Sequence, residues 1–382
     1  MIGVRVAVAL VVMEGAFFAI GKFLQSKRAM WEPAAPVPML HATFAQYREL
    51  RDPVLGWPYP SQYGQSLDVN GAQRNPYFPN ATQQSSCVSL YGDSFTEGGD
   101  ATSSVKKWGN VLSHLSSCYI ANFGVGGYGT DQAYLRFEGN RSDPSPVVIL
   151  GFHSDDVLQN LARISDLLGR EQWRALKPRF VLDAQGGLQL VPIPDLTEEQ
   201  YLRAIGVAGD PFPLQDESFQ PGGPAGVVSL RFPFVVSVTT NMLHFYGFRS
   251  RLLRRPDWMG FLVPGQPLHG LEILVAISRR FVAVARQRAK IPLVVILPHS
   301  LDFAYFESHA VWPCQAVLDG YARESVPYID FGPYLLSSAA REHKTFKDYF
   351  GPNGHYNDEG NALVARFVHD SLSARALLPG RN

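Results

Sequence analysis

The sequence predicts an α/β domain in three layers, with helices on both faces of a parallel sheet. Three observations carry that prediction. Continuous apolar runs at residues 87–91 (CVSLY), 146–152 (PVVILGF) and 291–298 (IPLVVILP), the last two rich in β-branched residues, read as strands buried on both faces. The segments between them repeat apolar residues at helical spacing, and such alternation favours parallel strand order. Several runs stop abruptly at glycine-rich turns, where open α/β sheets hold their ligands.

The chain has 382 residues, enough for one enlarged domain with attachments. Its 34 basic and 34 acidic residues balance, which gives no global electrostatic case for a nucleic-acid partner. Residues 6–21 (VAVALVVMEGAFFAIG) are apolar except for Glu14. The run falls short of the roughly 20 residues a spanning helix needs, but Phe23 and Leu24 extend it. An uncleaved signal-anchor, a cleaved signal peptide and a buried amphipathic helix all fit. The lack of a small-residue cleavage site ranks the anchor above cleavage. Arg5 precedes the run while Lys22, Lys27 and Arg28 follow it, so the flanking charges lean towards a cytoplasmic domain.

Residues 1–24 are therefore assigned to this anchor or signal segment. Residues 25–86 form a Pro-, Gln- and Tyr-rich linker that packs on the domain, with a short helix at 44–50. The main domain is placed at 87–375. After the strand at 87–91 come a helix at 105–115, a strand at 118–124 and a helix at 131–139 capped by Thr130 or Asp131. The strand at 146–152 follows. Residues 161–265 break the rhythm as an insertion. It begins with a hairpin at 179–193 turning on Gly186 and Gly187 and includes a helix ending near Arg255. Alternation resumes with a helix at 271–289, the strand at 291–298, a helix at 315–324, a short strand PYIDF and a closing helix at 359–372.

Three cysteines, Cys87, Cys118 and Cys314, lack metal-ligand spacing, and no zinc site is expected. Cys87 and Cys118 each open a strand. Buried free thiols are the preferred reading, with a disulfide between neighbouring strands as the alternative.

Four stretches fall at strand ends or in the closing loop: GDSFTEG, NFGVGGYGTDQ, GFHSDDVLQN and GPNGHYNDEG. A serine nucleophile needs a base, a group that orients the base, and backbone donors for an oxyanion. Ser94 sits just past the first strand. Gly124, Gly126, Gly127 and Gly129 let backbone N–H groups approach a substrate oxygen closely. His355 lies just before the last helix. His153 and His299 also follow strands and compete with it as the base. Asp93 reads as a turn-forming acid. Trp57, Tyr59, Tyr128 and Trp312 are candidates to line a sugar cleft, with core packing as the commoner role of such aromatics.

Taken together and in this order, these blocks resemble the SGNH/GDSL hydrolase superfamily, and most of all its membrane-anchored members associated with polysaccharide and cell-envelope acylation. The resemblance covers roughly residues 52–372 and implies a flavodoxin-like fold. It makes Ser94 the nucleophile, His355 the base, and the N–H groups of Ser94 and Gly127 the oxyanion donors. Two positions depart from the family pattern. Asp155 stands where an oxyanion-donating Asn is usual, and a carboxylate donates only when protonated. Asn353 stands where an acid usually orients the histidine, with Asp348 and Asp358 as substitutes at other spacings. The resemblance implies a serine esterase acting on O-acyl, chiefly O-acetyl, esters of a carbohydrate or other small molecule, without metal or organic cofactor. It also implies membrane attachment with an extracytoplasmic domain. An O-acetyltransferase on the same site and a non-catalytic carbohydrate-binding or assembly protein are the alternatives, the latter favoured by Asp155 and Asn353.

Overall fold

The computed structural model describes residues 2–27, 29–31, 43–56, 67–68, 71–80, 86–165, 175–205, 212–221 and 223–379. Among these described residues the strands are β1 (Ser86–Tyr91), β2 (Tyr119–Asn122), β3 (Val147–His153), β4 (Ile164–Ser165), β5 (Ala175–Leu176), β6 (Arg179–Leu182), β7 (Leu188–Val191), β8 (Ile291–Leu297) and β9 (Tyr328–Asp330). Five of them form one parallel sheet in the order β2-β1-β3-β8-β9. The order reverses between β1 and β3, so their carboxyl ends open a crevice there.

Both faces of this sheet are covered, as the unbroken apolar strands require. On β3, Val148, Leu150 and Phe152 join one core cluster while Val147 and Ile149 join another. The helices Thr130–Gly139, Gly270–Gln287 and Gln315–Arg323 contribute to the first face, and Trp108–Ser116, Phe331–Arg341 and Asp358–Ser373 to the second. The insertion contributes the β6–β7 hairpin, whose turn is held by Asp183 Oδ1 accepting from the N–H groups of Gln185 and Gly187.

Local departures from the sequence reading have physical reasons. The helix placed at 105–115 starts at Trp108, after a 3-10 turn at Ser104–Lys106. Lys107 is extended there, and Trp108 instead donates its backbone N–H to Asn361 Oδ1 and its indole N–H to the Phe95 carbonyl. Gly129, not Thr130 or Asp131, occupies the cap of the next helix, because tertiary partners claim both side chains. Thr130 donates to Asp156, and Asp131 pairs with Lys177. The segment ending near Arg255 is two helices, Phe234–His244 and Tyr246–Leu252.

The preference for free thiols at Cys87 and Cys118 is corrected. They form a disulfide between β1 and β2, with Cα atoms 6.2 Å apart, because both cysteines fall at the same end of two adjacent strands. Cys314 is a buried free thiol. The first helix, Ile2–Ser26, contains a 24-residue stretch, Gly3–Ser26, long and apolar enough to cross a membrane or to serve as a signal sequence.

Candidate active site

β1 runs straight into the site. Its last residue, Tyr91, is followed by Gly92 and Asp93, and Asp93 caps the four-residue helix Ser94–Glu97 by accepting from the N–H groups of Phe95 and Thr96 at 3.0 and 3.2 Å. Ser94 opens that helix and faces a cavity of about 470 Å³. His355 arrives from the loop before the last helix, and its Nε2 lies 2.8 Å from Ser94 Oγ. Ser94 and His355 are 261 residues apart in sequence and meet across the strand ends.

The carboxylate behind His355 is Asp100, which the sequence reading did not single out. Its Oδ1 lies 3.9 Å from His355 Nδ1, and its side chain is only 7% exposed. Asp100 Oδ2 accepts from the backbone N–H of Asn353 at 2.9 Å and of His355 at 3.3 Å. Its Oδ1 accepts from Asn353 Nδ2 at 2.8 Å. Asn353 therefore holds the acid, with its amide nitrogen turned to Asp100. Gly99 makes this approach possible, since a Cβ there would fall 2.4 Å from His355 Cβ. The signal was the run Gly98-Gly99-Asp100, a second acid just past the serine turn. Asp348 and Asp358 are occupied elsewhere, accepting from Thr345 and Thr102 respectively.

The glycine-rich turn after β2 forms the opposite lip. Gly127 lines the cavity with φ +80°, a left-handed conformation that glycine adopts without strain. Gly126 donates its N–H to Glu97 Oε2 at 3.1 Å, and Glu97 Oε1 pairs with Lys107, also at 3.1 Å. Glu97 thus ties the glycine turn to the serine turn.

The floor is acidic and buried. His153 at the end of β3 stacks on Phe95, with ring centroids 3.8 Å apart, and its Nδ1 lies 3.9 Å from Asp93 Oδ2. Asp156 Oδ2 accepts from the His153 N–H and the Thr130 hydroxyl. Burial pushes both Asp93 and Asp156 above the usual carboxylate range, and for Asp156 the nearby Asp93 charge adds to the effect. Ligand atoms of Asp93, His153 and Asp156 lie within 4.8 Å of one another. Backbone and hydroxyl donors already engage both carboxylates, as suits a hydrogen-bonded floor. Asp155 lines the cavity at the start of the helix Asp156–Leu161.

His299 forms the third wall. Its Nδ1 accepts the Leu301 backbone N–H at 3.0 Å and caps the helix Ser300–His309. An acceptor at Nδ1 puts the neutral ring's proton on Nε2, and that atom lies on the Gly354 side of the cavity. Beneath it, Asp302 accepts from Ser154, from the His299 N–H at 2.8 Å and from Trp258 Nε1 at 2.8 Å. Burial pushes Asp302 up to about 6. Tyr128 and Trp258 also line the cavity, whereas Trp312 donates to Asp330 away from it. Trp57 and Tyr59 lie outside the described residues.

No protein-family model matches the sequence, and no curated protein matches it. Among solved structures the chain is similar to a member of the lipolytic protein G-D-S-L family from Veillonella parvula, at 12% identity over 75% of this chain and 97% of that one, with TM-score 0.36. It is also similar to a two-domain esterase active on acetylated mannans, at 11% identity over 77% of this chain, with TM-score 0.35; the chain spans about half of that protein, 51%. An acetyl xylan esterase from the rumen bacterium Butyrivibrio proteoclasticus aligns at 9% identity over 78% of this chain and 66% of that one, with TM-score 0.34. Similarity this distant leaves the chemistry to be argued from the site itself.

Proposed function

We propose that the protein is a serine esterase that cleaves O-acyl esters, with Ser94 as nucleophile, His355 as base and Asp100 as the acid behind it. One observation carries this reading: Ser94 Oγ lies 2.8 Å from His355 Nε2 at a cavity, and a buried carboxylate stands on the imidazole's other side. The 3.9 Å between Asp100 and Nδ1 is longer than a hydrogen bond, and catalytic contacts of this kind often tighten when substrate binds.

In this mechanism Ser94 Oγ attacks the acyl carbon as its proton passes to His355 Nε2. The carbonyl oxygen takes the electron pair and is held by the N–H groups of Ser94 and Gly127. Collapse breaks the bond to the alcohol oxygen, which leaves with the proton from His355. Water then attacks the acyl-enzyme, delivers a proton to His355, and the acid is released as Ser94 regains its hydrogen. A sugar hydroxyl in place of that water would make the same site an O-acetyltransferase. The acetyl group and a carbohydrate acceptor are proposed from the resemblance of the motif blocks. The first helix is proposed as a membrane anchor with the domain on the extracytoplasmic side. The Cys87–Cys118 disulfide supports that side, because such bonds persist in oxidising compartments.

A second reading, a carbohydrate-binding protein on the same scaffold, is favoured by Asp155, an acceptor in the cavity where the oxyanion needs donors. Hydrolysis of 4-nitrophenyl acetate separates the two. The esterase reading expects Ser94→Ala to lower kcat/KM at least about 10³-fold. Equal background rates in the two folded proteins would leave the binding reading standing.

A further inference from the structure

The insertion carries an apolar surface that the cavity does not use. Residues 228–233 run back along the first helix, and the helix Phe234–His244 returns beside it. The contacts fix this path. Near the domain, Trp31 donates its backbone N–H to the Val228 carbonyl, and Asn241 Nδ2 donates to the Ala29 carbonyl at 2.7 Å. Further out, Gly21 lies against Leu230 and the rings of Phe18 and Phe234 are 5.0 Å apart. At the tip, Glu14 Oε2 accepts the N–H groups of Phe234 and Val235 at 2.5 and 3.4 Å. Glu14 and Ser26 are twelve residues apart, so this finger follows the first helix for about 18 Å.

We infer that this finger enters the lipid bilayer beside the first helix. The inference rests on reading that helix as a membrane anchor. Phe232 at the tip is 74% exposed, Val236 57% and Leu243 70%, and Leu252 in the next helix is 73% exposed. A soluble surface rarely gathers that many bare apolar side chains on one segment, and here they continue the apolar surface of the candidate span. Exposed Arg251 and Arg254, in and just after the next helix, accompany them, with stems long enough to carry their charges to the headgroups, and Arg231 beside the tip is the finger's own exposed charge.

Glu14 supplies the second argument. A lone carboxylate in the middle of a spanning helix is costly, and so are the unpaired N–H groups of a helix start in hydrocarbon. The two meet at the tip of the finger and satisfy each other, with the helix dipole adding to the attraction. The residue that argues against a span in the sequence is the residue that fits this insertion to it.

The test uses the full chain reconstituted in phosphatidylcholine–phosphatidylglycerol vesicles. A polarity-sensitive fluorophore is placed on Phe232→Cys or Val236→Cys, with Val11→Cys marking the first helix and Leu190→Cys the β6–β7 hairpin. Nitroxide-bearing lipids are expected to quench the probes at 232 and 236 as strongly as the probe at 11, and to leave the probe at 190 bright. Quenching at 11 with positions 232 and 236 as bright as 190 would overturn the inference and leave the anchor intact. Brightness at all four positions would overturn both.

Discussion

Two Asp–His pairs stand at the cavity with the same spacing, 3.9 Å from Nδ1 to a carboxylate oxygen, and they are built for different work. His355 is 26% exposed, and its other nitrogen meets the Ser94 hydroxyl. His153 is sealed against Phe95, its Asp93 is equally buried, and a second acid, Asp156, accepts from its backbone N–H. The proposed catalytic pair borders on solvent and a nucleophile. The other pair belongs to a floor whose acids, Asp93 and Asp156, are pushed above the usual carboxylate range because burial penalises their charge. Access and a reactive partner, more than the Asp–His contact itself, separate a base from a strut.

The sharpest way to break this comparison is to remove one member of each pair. Asp100→Asn is expected to lower kcat/KM about 10²- to 10⁴-fold with little change in KM, since an amide gives no charge to a developing imidazolium. His153→Phe keeps the stack on Phe95 and is expected to lower kcat/KM less than about tenfold. Its main effect falls on stability, by about 1–3 kcal/mol, because the floor acids lose a polar neighbour. Equal losses of activity in the two variants would end the distinction.

Another buried acid widens the contrast. Asp131 is closed by a cation: Lys177 Nζ lies 2.6 Å from its Oδ2 and also donates to three backbone carbonyls. Lys177→Met is expected to cost about 3–5 kcal/mol in denaturant unfolding, and adding Asp131→Leu to recover most of it, because the cost is the stranded charge. Single and double variants of equal stability would show that the cost is not the stranded charge. The cation-free acids expect a pH signature of smaller size. Burial pushes Asp302 and Asp330 up to about 6 each, so the folded chain keeps protons that the unfolded chain has shed above about pH 4. That stability is full below about pH 4 and is lost as pH rises through 6. The unfolding free energy is expected to be greater at pH 5 than at pH 7.5 by on the order of 1–3 kcal/mol. A rise over that interval would show that these two acids are not held above the usual carboxylate range in the folded chain.

The sheet was legible because its strands are continuous apolar runs, a pattern that local sequence carries. Ser94, Gly127 and His355 were legible as candidates because each follows a strand or precedes a helix in a recognisable block, and the fold brings all three to one cavity. Asp100 was not, because its one local signal, an acid after Gly98 and Gly99 just past the serine turn, does not say which side chain it faces. Its role follows from Gly99 allowing a close approach and from Asn353 gripping it from 253 residues away. The disulfide was named only as the second choice after free thiols, since pairing depends on β1 and β2 being adjacent and in register. The finger beside the first helix was hidden by Glu14, which reads as a defect until its partner on a distant helix is known.

His299 gives the finest test of the comparison, because it is a third histidine with a third kind of partner. Its Nδ1 is committed to a helix cap, which directs Nε2–H towards the cavity on the His355 side. In the proposed mechanism that side receives the alcohol portion of the ester, while the acyl oxygen turns to Gly127. His299→Asn keeps an acceptor at the Nδ1 position, where Asn is a favoured cap, and loses the outer donor. His299→Gln keeps a donor at the Nε2 position and loses the cap. If Nε2–H binds an oxygen of the alcohol, His299→Asn lowers kcat/KM for an acetylated sugar about three- to tenfold more than for 4-nitrophenyl acetate, the worth of one neutral hydrogen bond. His299→Gln then restores that ratio while lowering the thermal midpoint. The opposite pattern, with the ratio unchanged by Asn and only stability changed by Gln, would make His299 a strut like His153, and the cavity would hold one working histidine.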